Sequence, residues 1–468
     1  MEKMNRKNFL TSAATLGTGL FILPRHVLGG KGFIAPSDKV NVAGVGVGGM
    51  GYNNMMALGE YANVTALCDV DADYAAHCFN KFPSAKTFVD YREMLDKFKG
   101  SIDAVVIATP DNTHAVIALD SMKLGKHVYV QKPLTHDIYE ARILNQAATK
   151  YKVVTQMGNQ GHSSTSNIEL AEWVQAGIIG SVDKVECWTN RPIWPQGVPY
   201  PVNEAPLPKG ITKEGWDLWI GPAEFHPFNP AIYHFKWRGW WPFGTGALGD
   251  MACHIIDPAF RALKLGYPTS VEAFSSTFYE GDFKAANTPD SCPAASKIVF
   301  EFPSREGMPA TKLIWSDGGI KFERPAGLKE DDALGWDGGG VVLHGSKGDA
   351  MTGCYGHHTT LVPFEKMESF KKPSPVYPRI PGEDHGGHEK NWIEAIRQNK
   401  PEMASCPFSY ASPLTETILL GNIALRAAKL KGGEKKLLWD GPNMRITNFE
   451  PANQYVKRQY RSGWSLDL

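Results

Sequence analysis

Two short stretches carry side chains whose types and spacing could manage a proton. In "VYVQKPLTHD", Lys132 is held between an apolar strand and a proline, and an ammonium fixed there can hydrogen-bond an oxygen on which negative charge develops. In "GTGALGDMACHIIDPAF", Asp250 and His254 stand at i and i+4 of a helical pattern, hence on one face, with Asp257 one turn further. A carboxylate beside an imidazole can hold its tautomer and stabilise the imidazolium, which suits His254 to remove a hydroxyl proton with Asp250 orienting it. The spacing alone is common and fits a surface pair or a capping aspartate better than catalysis.

The elements that must position these groups are legible around them. After "APSDK", the run "VNVAGVGVGGMGYNNMMAL" is a short strand, a glycine-rich turn and a helical pattern, with G-x-G-x-x-G on Gly46, Gly48 and Gly51. The first glycine permits a tight turn, the second admits a pyrophosphate to the backbone, and the third lets helix and strand pack closely. A second strand, "NVTALCD", ends in Asp69, about 20 residues past the glycines, where a carboxylate bonds adenosine ribose hydroxyls and repels a 2′-phosphate. NAD is therefore expected rather than NADP. The alternation continues through "IDAVVIATPDNTH", the helix His114–Lys123 with its stop at Gly125, "HVYVQKP", a helix around Ile138–Lys150, and "KVVTQMGNQGH". Strands and helices at this spacing predict a parallel, doubly wound sheet with the cofactor across its carboxyl edge, where Thr109, Pro110 and Lys132 all fall.

Beyond about Asn159 the pattern loosens. A helix at 167–176 and a strand at 182–189 precede a Pro/Trp-rich passage to Trp241; strands are predicted in "SVEAFSSTFY", "SKIVFEF", "TKLIWSD" and "GVVLHG", and helices at about 388–398 and 414–431. This reads as an α/β domain on an open, largely antiparallel sheet. The division expected is 1–37 export signal and linker, 38–160 Rossmann domain, and 161–468 substrate-binding domain with C-terminal helices and tail.

Composition narrows the partners. The 49 basic and 49 acidic side chains balance, and 43% of residues are hydrophobic, so the electrostatic footprint of a nucleic-acid binder is missing and a small, neutral ligand is expected. Clustered tryptophans, Trp216 with Trp219 and Trp237 with Trp240 and Trp241, either fill the core or line a cleft suited to sugar rings. The seven cysteines are dispersed, without a C-x-x-C spacing, so neither a disulfide scaffold nor a zinc site follows. His357-His358 and the pair His385 and His388 lack an evident third ligand, and no metal is expected. The N-terminus has a basic start and an apolar segment from about Phe9 to Pro24, shorter than the roughly 20 residues of a spanning helix. Asn5-Arg6-Lys7-Asn8-Phe9-Leu10 is similar to a twin-arginine export signal with Lys7 in place of the second arginine.

Taken in order, the glycine motif, the acidic end of strand two, "ATPDNTH", "QKP" and "GDMACHIID" resemble the glucose-fructose oxidoreductase/inositol dehydrogenase/MocA (Gfo/Idh/MocA) family over nearly all the chain past residue 38. "QMGNQGH", "DLWIGPA" and "WRGWWPFGTGALGDMACHIID" further resemble its exported branch, common in Bacteroidetes. The resemblance implies a Rossmann domain holding NAD and a second α/β domain whose sheet mediates homo-oligomerisation; an exported enzyme, away from a soluble nicotinamide pool, is expected to hold its NAD tightly. It implies catalytic roles for Lys132, Asp250 and His254, cofactor contacts that add Asn112, His114 and Gln131 to the residues above, and substrate contacts at Asn159, His162, Asn190, Arg191, Trp237, Trp240 and Trp241. Gln131 stands where the family has glutamate and loses the charge that could pair with Lys132. The activity implied is NAD-dependent oxidation of a sugar or glycoside hydroxyl, at carbon 3, in the periplasm. Alternatives are glycoside hydrolysis through transient oxidation, elimination, hydration and re-reduction, and a non-catalytic NAD- and sugar-binding protein.

Overall fold

Apolar runs too short for helices build the first sheet. The computed structural model describes residues 38–305, 307–336, 338–382 and 386–468; the expected export signal and His385 lie outside them. β1 (Asn41–Val45), β2 (Asn63–Cys68), β3 (Lys86–Phe88), β4 (Ala104–Ile107), β5 (His127–Gln131) and β6 (Thr155–Gly158) pair in the order β3-β2-β1-β4-β5-β6. Every pairing is parallel. β4 is buried at each position and β5 at all but its first, as strands covered by helices on both faces must be. The crossovers end where the chemistry predicts. Asp137 and Glu140 form a reciprocal capping box at the start of Ile138–Tyr151, and Gly125 takes φ +71° just past His114–Lys123. Because β1 lies between β2 and β4, the strand order reverses there and a crevice opens at the carboxyl ends of β1 and β4.

The second sheet has nine strands. β7 (Val182–Thr189), β8 (Ser270–Ser275), β11 (Ser296–Phe302), β12 (Thr311–Ser316), β13 (Gly339–Gly345), β14 (Gly348–Gly353), β15 (Thr360–Val362), β16 (Leu437–Asp440) and β17 (Arg445–Ile446) run in the order β15-β14-β13-β7-β12-β11-β8-β16-β17. A separate hairpin joins β9 (Tyr279–Gly281) to β10 (Lys284–Ala285). β7 pairs with β12 in parallel and the other pairings are antiparallel, as expected of a largely antiparallel sheet. β11 alternates buried and less buried positions, so one face packs inward. The helix Phe408–Ala427 presses on that face: a Cβ added at Gly421 would meet Leu248 at 2.7 Å and Phe300 at 3.0 Å. This helix starts at Phe408 rather than Leu414, because Pro413 interrupts one backbone hydrogen bond while buried Phe408 and Ala411 hold the preceding turn. The seven cysteines are all buried and unbridged.

Candidate active site

One cavity of about 430 Å³ runs from the glycine loop to the helix Gly246–Ile255. At its first end Gly46 takes φ +78°, and an added Cβ would meet the Thr109 amide nitrogen at 2.7 Å; at Gly51 it would meet Gly46 O at 2.1 Å. Both glycines are thus demanded by close packing behind the loop, and Gly46 and Gly48 face the cavity while Gly51 does not. Above Gly48 lies Tyr74, whose ring an added Cβ would approach to 2.2 Å. Tyr74 packs on His234 at 4.2 Å between centroids with the rings tilted by 49°, and neighbouring Tyr233 donates to Asp71 Oδ2 at 2.8 Å, so a segment from the second half roofs the loop.

Asp69 ends β2 beside this loop. It accepts from the amides of Gly48 and Asp71, each at 3.0 Å, but burial outweighs those bonds and pushes its carboxyl up to about 6. Val70, Val89, Tyr91 and Ile117 continue the wall as an apolar patch. A glycine loop leading into the helix Met50–Gly59, a carboxylate for ribose hydroxyls and an apolar slot for a base together fit a dinucleotide. Thr109, Pro110, Gln131 and Lys132 line the same cavity. Asn112 and His114 do not. Asn112 donates to Ile220 O at 2.8 Å, and His114 bridges Thr109 O and Pro133 O at 2.9 Å each, which fixes both strand-end turns from behind.

At the other end Lys132 Nζ donates to Asp250 Oδ1 at 2.8 Å and to Asp250 O at 2.6 Å. Arg238 Nε donates to the same Oδ1 at 3.0 Å, its guanidinium 4.3 Å from the ring centroids of both Phe235 and Trp237. Burial would raise the Asp250 carboxyl, but Lys132 and then Arg238 hold it well below the usual carboxylate range. The expected Asp250–His254 contact is therefore replaced: two cations draw the carboxylate away. His254 Nδ1 instead meets Asn159 Oδ1 at 2.9 Å, and its ring packs on Tyr355 at 4.3 Å. Burial, then the charge of Lys132, lowers the His254 pKa well below the ordinary imidazole value. The ring is thus neutral, and an amide oxygen at Nδ1 selects the tautomer protonated there, leaving Nε2 as the basic nitrogen.

Gln131 Nε2 donates to Asn54 Oδ1 at 2.9 Å, and Asn54 Nδ2 donates to Glu389 Oε1 at 2.8 Å. The amide therefore serves a buried relay between the two halves.

Of the expected substrate contacts, Arg191 and Trp237 line the cavity. Asn159 acts through His254. His162 is held by Asp257 at 2.9 Å, Asn190 accepts from Arg191 on the exposed side, and Trp240 and Trp241 are core residues, Trp240 donating to Ala231 O at 3.0 Å. Sequence reading missed Arg238, Tyr355, Asp111 and Trp464, which also line the cavity. Arg238 lies in "WRGWW", where a cation set among aromatic rings is the signal that marks it. Asp111 accepts from Thr245 Oγ1 at 2.6 Å, and burial raises its carboxyl to about 7. Tyr355 holds φ +63°, rare for a side chain of its size.

Residues 40–159 match the model of an oxidoreductase family's NAD-binding Rossmann fold, and 182–273 match that family's C-terminal alpha/beta domain. Both matched segments fall to the Gfo/Idh/MocA oxidoreductase family. Its cofactor is NAD. Among curated relatives, a "Glycosyl hydrolase family 109 protein 1" of Shewanella sp. (strain MR-4) is 28% identical over 208 residues, and an alpha-N-acetylgalactosaminidase of Shewanella oneidensis 27% over 209, each covering 39% of this chain. A levoglucosan dehydrogenase of Pseudarthrobacter phenanthrenivorans is 26% identical over 213 residues, 45% of this chain. The chain spans about half the length of the curated relatives it matches, 45% in each case. Among solved structures, the WlbA dehydrogenase of Bordetella pertussis in complex with NADH and UDP-GlcNAcA superposes with TM-score 0.57 at 17% identity, covering 86% of this chain and 99% of that one. Levoglucosan dehydrogenase in complex with NADH and L-sorbose gives 0.54 at 17%, covering 85% and 98%. At these identities the likeness is one of fold.

Proposed function

We propose that this chain oxidises a hydroxyl of a sugar or glycoside, at carbon 3, with NAD. One observation carries the reading: Lys132 and neutral His254 face the same cavity that holds the glycine loop and Asp69. His254 Nε2 takes the hydroxyl proton, since Nδ1 already carries one. Lys132 hydrogen-bonds the same oxygen as negative charge develops on it, and Asp250, backed by Arg238, fixes the ammonium in place. When bound, the nicotinamide accepts the hydride from the sugar carbon. Trp237 offers an apolar ring to a sugar face, and Arg191 a guanidinium that donates to the Asn190 side-chain oxygen.

A second reading is glycoside hydrolysis by transient oxidation, elimination, hydration and re-reduction. The hydrolase relatives favour it, as does Asp111, a second proton-handling group on the wall with its pKa near neutrality. An aryl glycoside separates the two: aglycone release without net NADH means hydrolysis, and NADH accumulation with a keto sugar means oxidation. Intact turnover in His254→Ala would remove His254 as the base from both readings, and a parent chain that converts no sugar or glycoside would leave a sugar-binding protein. The proposal extends to a periplasmic enzyme of the exported branch, carried out by the twin-arginine-like signal with its NAD tightly held. The homo-oligomer would form through the outer face of the nine-stranded sheet, where Val299 and Ile314 stand opposite each other, half-buried.

A further inference from the structure

The segment after Val456 crosses both halves of the fold before it reaches the cavity. Arg458 Nη2 donates to Asn112 O and to Glu140 Oε1, each at 2.6 Å, and Tyr460 donates to the same Glu140 oxygen at 2.6 Å. Arg461 then engages the second half, Nη1 to Asp217 Oδ1 and Nε to Gly221 O, each at 2.6 Å. Arg458, half-buried, pairs with the buried carboxylates of Glu140 and Asp137, which are costly to leave unpaired, so the chain between these anchors is pinned. The Trp464 amide turns back onto Arg461 O at 3.3 Å, which presents the indole to the cavity wall.

There Trp464 joins Val70, Val89, Tyr91 and Ile117, and the Arg92 guanidinium lies 5.3 Å from its ring centroid. This is the Asp69 end of the cavity, away from the Lys132 and Asp250 pair. An aromatic ring beside an apolar slot next to a ribose-binding carboxylate is matched by a flat heteroaromatic base. We propose that Trp464 forms the adenine-side wall of the NAD site, and that the tail clasped by Arg458 and Arg461 must lift before NAD can leave. Trp464 is a positioning residue for the cofactor, and the tail acts as its retaining strap.

The test uses the full chain and measures binding rather than turnover. Stacking on one aromatic ring is worth roughly tenfold in affinity. Trp464→Ala should weaken NAD and ADP-ribose by the same factor of about ten, read by calorimetry, and should speed NAD release in a rapid-dilution experiment by a similar factor. Trp464→Phe, which keeps a ring, should stay within about threefold of the parent. NAD and ADP-ribose affinities of Trp464→Ala within about twofold of the parent would overturn the proposal. So would a loss in Trp464→Phe equal to that in Trp464→Ala, because the effect would then be one of tail packing rather than of a ring against a base.

Discussion

Replacing Asn159 with aspartate tests the proton-handling reading at its base. The Asn159 Oδ1 to His254 Nδ1 contact is 2.9 Å, so Asn159→Asp puts a negative charge about 4 Å from the centre of an imidazolium. At an effective dielectric near 20, that attraction is about 4 kcal/mol, or about three pKa units. Burying the new carboxylate costs part of this, so the expected net rise in the His254 pKa is about one to three units. The sign follows from the role. In the parent, burial and then Lys132 keep the ring neutral well below the ordinary imidazole range, so a base at this position works down to low pH. In the variant the ring protonates earlier, and the acid limb of kcat/KM moves upward by the same one to three units. The assay is the pH profile of kcat/KM for sugar oxidation at saturating NAD, with the His254 ring followed in parallel by nitrogen NMR. A folded, NAD-replete variant whose acid limb lies within about 0.3 unit of the parent's would refute His254 as the base.

Three further outcomes are expected. Asp250→Asn strips the counter-charge from Lys132 and Arg238, whose side chains are 16% and 20% exposed; with partial solvent access, about 2–3 kcal/mol of stability should be lost, seen as a melting point lower by several degrees, together with most of kcat. NAD affinity should fall as pH drops through about 6, because the Asp69 carboxyl then protonates and ceases to accept from ribose hydroxyls, while Asp69→Asn should flatten that dependence and admit NADP. Gln131→Glu removes the donor to Asn54 and brings a buried carboxylate toward Glu389; urea denaturation should show a loss of about 1–3 kcal/mol with NAD binding retained.

Much of the site was readable because its residues sit at positions that local pattern fixes. Gly46, Asp69 and Lys132 close strands of a strongly periodic parallel sheet, and the period places their Cα atoms on one edge. The i, i+4 rule placed Asp250 and His254 on one helical face but could not say whether they touch, since that depends on partners remote in sequence. Lys132 and Arg238 claim the carboxylate, and Asn159 claims the ring. Trp240 and Trp241 share with Trp237 a composition signal that does not separate a core ring from a cavity ring. Trp464 carries no local pattern at all; only the path of the tail, set by two arginine anchors, brings it to the cofactor end.

The seven buried cysteines give this fold a set of internal reporters. Burial pushes Cys78 and Cys354 up to about 12 and raises the thiols of Cys68, Cys187 and Cys406 as well, so the reactive thiolate is scarce in the closed chain. An alkylating reagent can therefore reach each sulfur, apart from Cys68 on the cavity wall, only through an opening of the structure around it. Cys68 and Cys78 sit with the parallel sheet, and Cys187 in β7 with the antiparallel one. Their separate labelling rates, followed by mass spectrometry with and without NAD, would measure how far the cofactor's hold on one half is felt in the other, without altering a residue.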